Sequence, residues 1–136
     1  MSESEPHAAM RALALRLVNA AESGDLAGLA DVFDREAVIW HNTDNRTLSM
    51  ADNMSIVNTF SRTVPRRHYE DVRINPFADG YVQQHRWVCE TVAGEKFSVS
   101  ACAVVHVRNG KIVRVEEYFD SAHITRLGLD TWVPKG

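Results

Sequence analysis

Apolar residues recur at two different periods in this chain, and the change from one to the other divides it in half. Over Pro6 to Ala21, residues Met10, Leu13, Leu17 and Ala21 repeat at helical spacing, with Pro6 tolerated in the first turn and Ser23-Gly24 supplying a stop. Asp25 can cap a short second helix that places Leu26, Leu29, Ala30 and Phe33 on one face. The β-branched and aromatic run Ala37-Val38-Ile39-Trp40-His41 predicts a first strand. Ser49 is a good cap for a third helix whose inward stripe is Asn53, Ile56, Val57 and Phe60, and Pro65 prevents its continuation.

From Arg67 onward the period is that of strands. Breaks at Ala78-Asp79-Gly80, Ala93-Gly94 and Asn109-Gly110 predict hairpin turns. Four antiparallel strands follow, over Arg67 to Pro76, Tyr81 to Thr91, Lys96 to Arg108 and Lys111 to Phe119, long enough to form a strongly bent sheet. Asp120-Ser121-Ala122-His123 begins a final short helix. With 136 residues, 45% of them hydrophobic, and no internal repeat or linker, one domain over 1–136 with a buried core is the expectation.

Strand register decides which polar groups point inward. A two-residue turn at Asn109-Gly110 pairs Val107 with Ile112, and regular counting then sets Glu117 opposite Cys102. The same treatment of Ala93-Gly94 pairs Val92 with Glu95 and sets His85 opposite Cys102 from the other side. His85, Cys102 and Glu117 then form a row across three strands, beside Trp87, Ser100 and Val115. A bulge at either hairpin moves the pairing by one residue and turns a set of side chains to the other face. The rival face carries Gln84, Arg86, Ala101, Ala103, Arg114, Glu116 and Tyr118. The His85/Glu117 face is expected inside, because Val113, Val115 and Phe119 accompany Glu117.

Charge and cysteine content narrow the classes of function. A net charge of −3, a pI near 6.0 and the absence of any Lys/Arg run argue against nucleic-acid binding. No stretch has the basic-then-apolar order of a signal peptide or membrane-spanning length, so a soluble cytoplasmic protein is expected. Cys89 and Cys102, the two cysteines, fall in predicted strands without ligand spacing or disulfide density; they read as reduced thiols. No glycine-rich phosphate loop or metal-ligand cluster is present, and no metal, nucleotide or flavin cofactor is expected.

The order of helices and strands, with Phe33-Asp34-Arg35-Glu36-Ala37-Val38-Ile39-Trp40-His41 closing the first half and Asn109-Gly110-Lys111-Ile112-Val113-Arg114-Val115-Glu116-Glu117-Tyr118-Phe119-Asp120 closing the second, resembles the SnoaL-like branch of the nuclear transport factor 2-like superfamily. That resemblance covers nearly the whole chain. It implies an α+β fold, a cone-shaped barrel of strongly curved, mostly antiparallel sheet wrapped around three N-terminal helices, with one pocket for a small organic molecule. Relatives include ketosteroid isomerase, polyketide cyclases, scytalone dehydratase and limonene epoxide hydrolase, so the fold alone names no reaction. His41 stands where the isomerase pattern has its catalytic Asp. Glu117 stands at the catalytic Asp of the epoxide hydrolase pattern, but Gln84 and Arg86 occupy the places of that pattern's Arg and Asp, and its triad is incomplete. His85 lies in a stretch similar to the strand that supplies a catalytic His in scytalone dehydratase. Relatives commonly pair as homodimers through the outer face of the sheet, here Gln84, Arg86, Arg114 and Tyr118.

His41, His85 and Glu117 are accordingly the candidate catalytic residues. Imidazole titrates near 6.5 unaided, and a carboxylate in contact with it fixes its tautomer and raises its basicity. Cys102 beside His85 also permits a Cys–His nucleophile, a weaker reading because no oxyanion loop is evident. Trp40, Asn53, Phe60, Trp87, Cys102 and Asp120 are the candidate substrate-binding residues. Each has a structural alternative: His41 as a strand-end cap, His85 and the tryptophans as core, Asp120 as the cap of the tail helix. Two functions remain open. One is a cofactor-independent enzyme that moves protons on a small apolar or aromatic substrate, as an isomerase, dehydratase or cyclase; the alternative is a non-catalytic ligand-binding or dimerisation module of the same fold.

Overall fold

The computed structural model describes residues 3–122 and residue 125. Helix α1 covers Glu5–Ser23, α2 Leu26–Val32 and α3 Met50–Thr63; the strands are β1 Phe33–His41, β2 Arg46–Ser49, β3 Arg66–Phe77, β4 Gly80–Glu90, β5 Lys96–Arg108 and β6 Lys111–Phe119. The expected caps hold the helix starts. The Asp25 carboxylate accepts from Gly28 N at 3.0 Å, and the Ser49 hydroxyl accepts from Asp52 N at 3.2 Å. Ser4 does the same for α1, accepting from His7 N, and Gly24 ends that helix in the left-handed region at φ 71°.

All six strands form one sheet in the order β2-β1-β6-β5-β4-β3. β1 runs parallel to β6; the other neighbours are antiparallel. The sheet is strongly curled but not closed, and the three helices pack into its concavity, an α+β architecture of the nuclear transport factor 2-like type. Leu13, Ala14, Leu29 and Val32 from the helices meet Ile39, Tyr81, Val105 and Ile112 from the sheet in the main core. One connection is fixed by backbone approach: a Cβ on Gly80 would stand 1.9 Å from the Val105 carbonyl oxygen, so no other residue fits there without moving β5.

Three elements differ from expectation. β2 replaces part of the loop expected between the first strand and α3; four residues, mostly polar, carry no periodic signal, and only pairing with β1 makes them a strand. Phe33 begins β1 in extended backbone, φ −97° and ψ 144°, instead of closing α2. At the C-terminal end, the Asp120 carboxylate accepts from Ala122 N at 2.9 Å and Thr125 N donates to the Ser121 carbonyl at 2.8 Å, one turn of the expected helix. His123 lies outside the described residues.

Both hairpins that set the register contain a one-residue shift. Glu90 pairs with Lys96, and Thr91 to Glu95 form the connection, with Thr91 N donating to the Glu95 carbonyl and Gly94 at φ 85°. His85 therefore faces Ala101, not Cys102. The Asn109-Gly110 turn does pair Val107 with Ile112, both turn residues having positive φ, at 53° and 74°. Past it, a bulge beside His106 sets Glu117 opposite Ala103. The two shifts together keep His85 and Glu117 on the inner face and send Cys102 to the outer one, where its neighbours across the ladder are Gln84 and Tyr118. Ala101 and Ala103, expected outside, are buried inside.

Candidate active site

The inner face of the sheet and the inward sides of the three helices line a half-open cavity of about 240 Å³. Its walls are mostly apolar: Leu29, Phe33, Ile39, Trp87, Val99 and Phe119 from below, Ile56, Val57 and Phe60 from α3. Phe60 and Trp87 meet edge to face, centroids 5.9 Å apart. Few polar side chains interrupt this lining, and they come from different strands.

The parallel pairing of β1 with β6 places His41 directly beside Glu117, and both side chains line the cavity. His41 Nε2 lies 3.5 Å from Glu117 Oε2. The backbone continues the zipper past the strand end, Asn42 N donating to the Glu117 carbonyl at 3.1 Å and Phe119 N to Asn42 Oδ1 at 3.0 Å. The ring of Phe119 stands edge-on to His41 at 5.7 Å. Burial disfavours charge on His41, but the contact and charge of Glu117 outweigh it and hold the imidazolium above its ordinary range. For Glu117, burial pushes toward the neutral acid, and His41, with a smaller contribution from His85, overcomes this and lowers the carboxyl. Each group therefore stabilises the charged form of the other.

His85 is buried two strands farther round, on β4, with β5 between it and the strand of Glu117. Its Nδ1 lies 3.1 Å from Gln83 Nε2, and its ring is edge-on to Tyr69 at 4.6 Å. Burial lowers its pKa, opposed in part by the Glu117 charge, so His85 is neutral where His41 is charged. Tyr69 lines the cavity, its ring 3.9 Å from that of Trp87, and burial drives its phenol well above the ordinary value. At the opposite end, Arg67 donates to the carbonyls of Ser61 and Val64 at 3.3 and 3.0 Å and to that of Ala21 at 3.4 Å, closing the C-terminal ends of α3 and α1. Burial lowers its pKa. Cys89 sits nearby with its thiol pushed up to about 11 by burial, the form that is neither nucleophile nor ligand.

Of the residues singled out from sequence, His41, Glu117, Asn53, Phe60 and Trp87 line the cavity, and His85 lies against its wall at Tyr69. Three do not reach it. Trp40 alternates to the outer face, stacks edge-on with Tyr118 at 5.2 Å and donates its indole N–H to Asn45 Oδ1. Cys102 is outside because of the register shifts, which also removes the Cys–His nucleophile. Asp120 caps the tail. Gln84 and Arg86 also lie on the outer face, Arg86 paired with Glu70 and Asp71, so the epoxide hydrolase positions contribute nothing to the cavity. Tyr69, Arg67 and Gln83 were not anticipated. The alternation of β4, with Tyr81, Gln83 and His85 on one side, carried the signal for Gln83 once His85 was placed inside.

Among the described residues no group of three or more His, Cys, Asp or Glu is placed to hold a metal ion. No described helix is long and apolar enough to cross a membrane. No curated protein matches the chain. Among solved structures, AclR from Streptomyces galilaeus, provisionally assigned as a hydroxylase, superposes with a TM-score of 0.79 at 19% identity, covering 90% of this chain and 82% of that one. A protein of Jannaschia, provisionally a SnoaL-like polyketide cyclase, gives 0.77 at 13% identity over 99% of both chains. A provisional isomerase from Bacillus subtilis gives 0.79 at 11% identity, covering 96% and 100%. At these identities the likeness is one of fold. The sequence itself matches the SnoaL-like domain model over residues 14–115, and with the curled sheet, the three packed helices and the single-sided polar pair this is decisive: the chain belongs to the SnoaL-like family of the nuclear transport factor 2-like superfamily.

Proposed function

We propose that the protein is a small-molecule enzyme that moves protons on an apolar or aromatic substrate enclosed in the cavity, a reaction of the isomerase, dehydratase or cyclase type, with Glu117 and His41 as its acid–base pair and His85 as a neutral third group. The observation that carries this reading is the ion pair between His41 and Glu117 in a wall that is otherwise largely apolar. A paired carboxylate and imidazole lining a largely apolar cavity are positioned to act on a substrate bound there. In the charge-separated state the Glu117 carboxylate takes a proton from carbon. The His41 imidazolium delivers a proton to the oxygen that gains electron density, or to the hydroxyl that leaves as water in an elimination. The residues at hand supply both transfers, which supports a reaction without a cofactor. We further propose that the chain forms a homodimer through the outer face, on which Tyr118 is exposed; sedimentation that stays monomeric at every concentration would remove it.

A panel of enones, β-hydroxyketones and polyketide-like aromatics, assayed across pH, tests the enzyme reading. The active form requires Glu117 ionised and His41 protonated. Turnover is expected to fall on the acid side through a value below the ordinary carboxyl range and on the alkaline side through one above the ordinary imidazole range. His41→Gln should remove the alkaline limb. Binding of panel members with no turnover, insensitive to both residues, would leave a ligand-binding module in place of an enzyme.

A further inference from the structure

Gln83 and His85 are among the deepest polar side chains described, 5% and 6% exposed. They bond to each other and leave two atoms, Gln83 Oε1 and His85 Nε2, with no partner. A buried polar atom without a partner loses its hydration and gains nothing in return, so a pair of them is a place where something is missing. What is missing follows from the chemistry of the pair. If the Gln83 amide donates to Nδ1, the ring proton is on Nε2: the atoms with no partner are then a donor, Nε2–H, and an acceptor, Oε1. If the amide is turned over and Nδ1–H donates to it, Nε2 is left as the acceptor and the amide N–H as the donor. Either way, of the two atoms left without any partner, one donates and the other accepts.

The pair is close to the reacting groups. His85 lies across the ladder from Ala101, a residue of the cavity wall, and Gln83 across from Ala103, whose other neighbour is Glu117. Ala103 alone intervenes between Gln83 and Glu117, whereas the row of His85 passes through Ala101 to Phe119; the charge of Glu117 is nevertheless felt at His85. The Tyr81 hydroxyl, on the same face of β4, is a third buried polar atom without a partner.

We propose that Gln83 and His85, which sit behind the cavity wall at Tyr69 and Ala101 rather than on its surface, form a polar floor that takes a hydroxyl or enol group of a substrate reaching past that wall, a group that donates and accepts at once. This rests on the enzyme reading and narrows its substrate class to molecules bearing such a group, which the Gln83–His85 pair holds while the rest of the molecule lies beside Glu117. Ordered water has the same chemistry, and the test separates the two.

Two aromatic probes of equal shape, 2-naphthol and 2-methylnaphthalene, are titrated into the protein and followed by NMR. The naphthol is expected to bind about tenfold more tightly, the effect of two hydrogen bonds to otherwise unpaired groups. In Gln83→Leu/His85→Phe the preference is expected to vanish while Tm stays level or rises, because the variant removes unpaired atoms and keeps the volume. In Glu117→Gln the preference should persist. Equal affinity of the two probes for the native protein overturns the floor, water then being its occupant, and leaves the acid–base reading standing. Binding of neither probe overturns both. Loss of the preference in Glu117→Gln but not in the double variant, or a fall in Tm of more than a few degrees in the double variant, also overturns it, since the pair would then be a structural bond.

Discussion

Glu116 and Glu117 are adjacent in sequence, point to opposite faces of the same strand, and each has a histidine beside it. On the outer face His106 Nε2 lies 3.1 Å from Glu116 Oε1; on the inner face His41 Nε2 lies 3.5 Å from Glu117 Oε2. Distance alone would rank the outer pair first. Their surroundings reverse the order. Glu116 has a second cation at hand, Arg114 at 3.7 Å, and its pair is open to the solvent side of the sheet. Glu117 has His41 as its one ion-pair partner among the described residues, and faces a cavity walled by Ile39, Val115 and Phe119. Charges in apolar surroundings interact more strongly and are more sensitive to loss of a partner than charges beside water.

The largest expected consequence is catalytic. Glu117→Gln should lower kcat/KM by at least about a hundredfold on any substrate the panel identifies, the size of a lost general base. Glu116→Gln should stay within about twofold. Comparable losses in both would mean that neither carboxylate acts on the substrate directly, and the contrast between the faces would collapse.

Less of that contrast was legible in the sequence than the fold was. The helices and the four long strands followed from period and caps, because Leu13, Leu29, Ile112 and Val115 repeat as the burial does. Glu117 stood out as a carboxylate among Val115 and Phe119. Two things were not legible. A bulge beside His106 and a five-residue connection at Thr91–Glu95 each move the register by one, and local sequence does not count such residues; this is why Cys102 was expected inside and is not. The contact of His41 with Glu117 depends on a parallel pairing across 76 positions of chain, which period and turn chemistry leave undetermined. The resemblance to known folds brought both residues forward without showing that they touch.

A second comparison concerns coupling. Double-mutant cycles on stability, with His41→Gln and Glu117→Gln inside and His106→Gln and Glu116→Gln outside, should give about 1–3 kcal/mol for the inner pair and under about 1 kcal/mol for the outer. The inner value should depend on pH with a definite sign. Glu117 has a lowered pKa, so its contribution is present above the ordinary carboxyl value of 4.5 and is lost as pH falls through the lower folded value. His41 has a raised pKa, so its contribution is complete below the ordinary 6.5 and is lost as pH rises through the higher folded value. Coupling should therefore be greatest between these limits and fade at both ends. An inner coupling equal at pH 5.5 and pH 9.5 would show that the pair is not held by charge.

The smallest effect sharpens the comparison with two tryptophans in place of two carboxylates. Trp40 is on the outer face with its indole N–H bonded to Asn45 Oδ1 at 2.9 Å, whereas Trp87 lines the cavity between Phe60 and Tyr69. Trp40→Phe removes one partly solvated hydrogen bond and should lower stability by about 1 kcal/mol, leaving ligand affinity unchanged. Trp87→Phe keeps an aromatic ring in the wall but shortens it, so its expected signature is a changed affinity for 2-naphthol together with loss of the ligand-induced change in tryptophan emission. Emission that still responds fully in Trp87→Phe, and no longer does in Trp40→Phe, would put the ligand on the outer face beside Tyr118. With the third tryptophan, Trp132, replaced by Phe in every variant, the opposite placement of Trp40 and Trp87 lets this measurement identify the occupied face before any reaction is known.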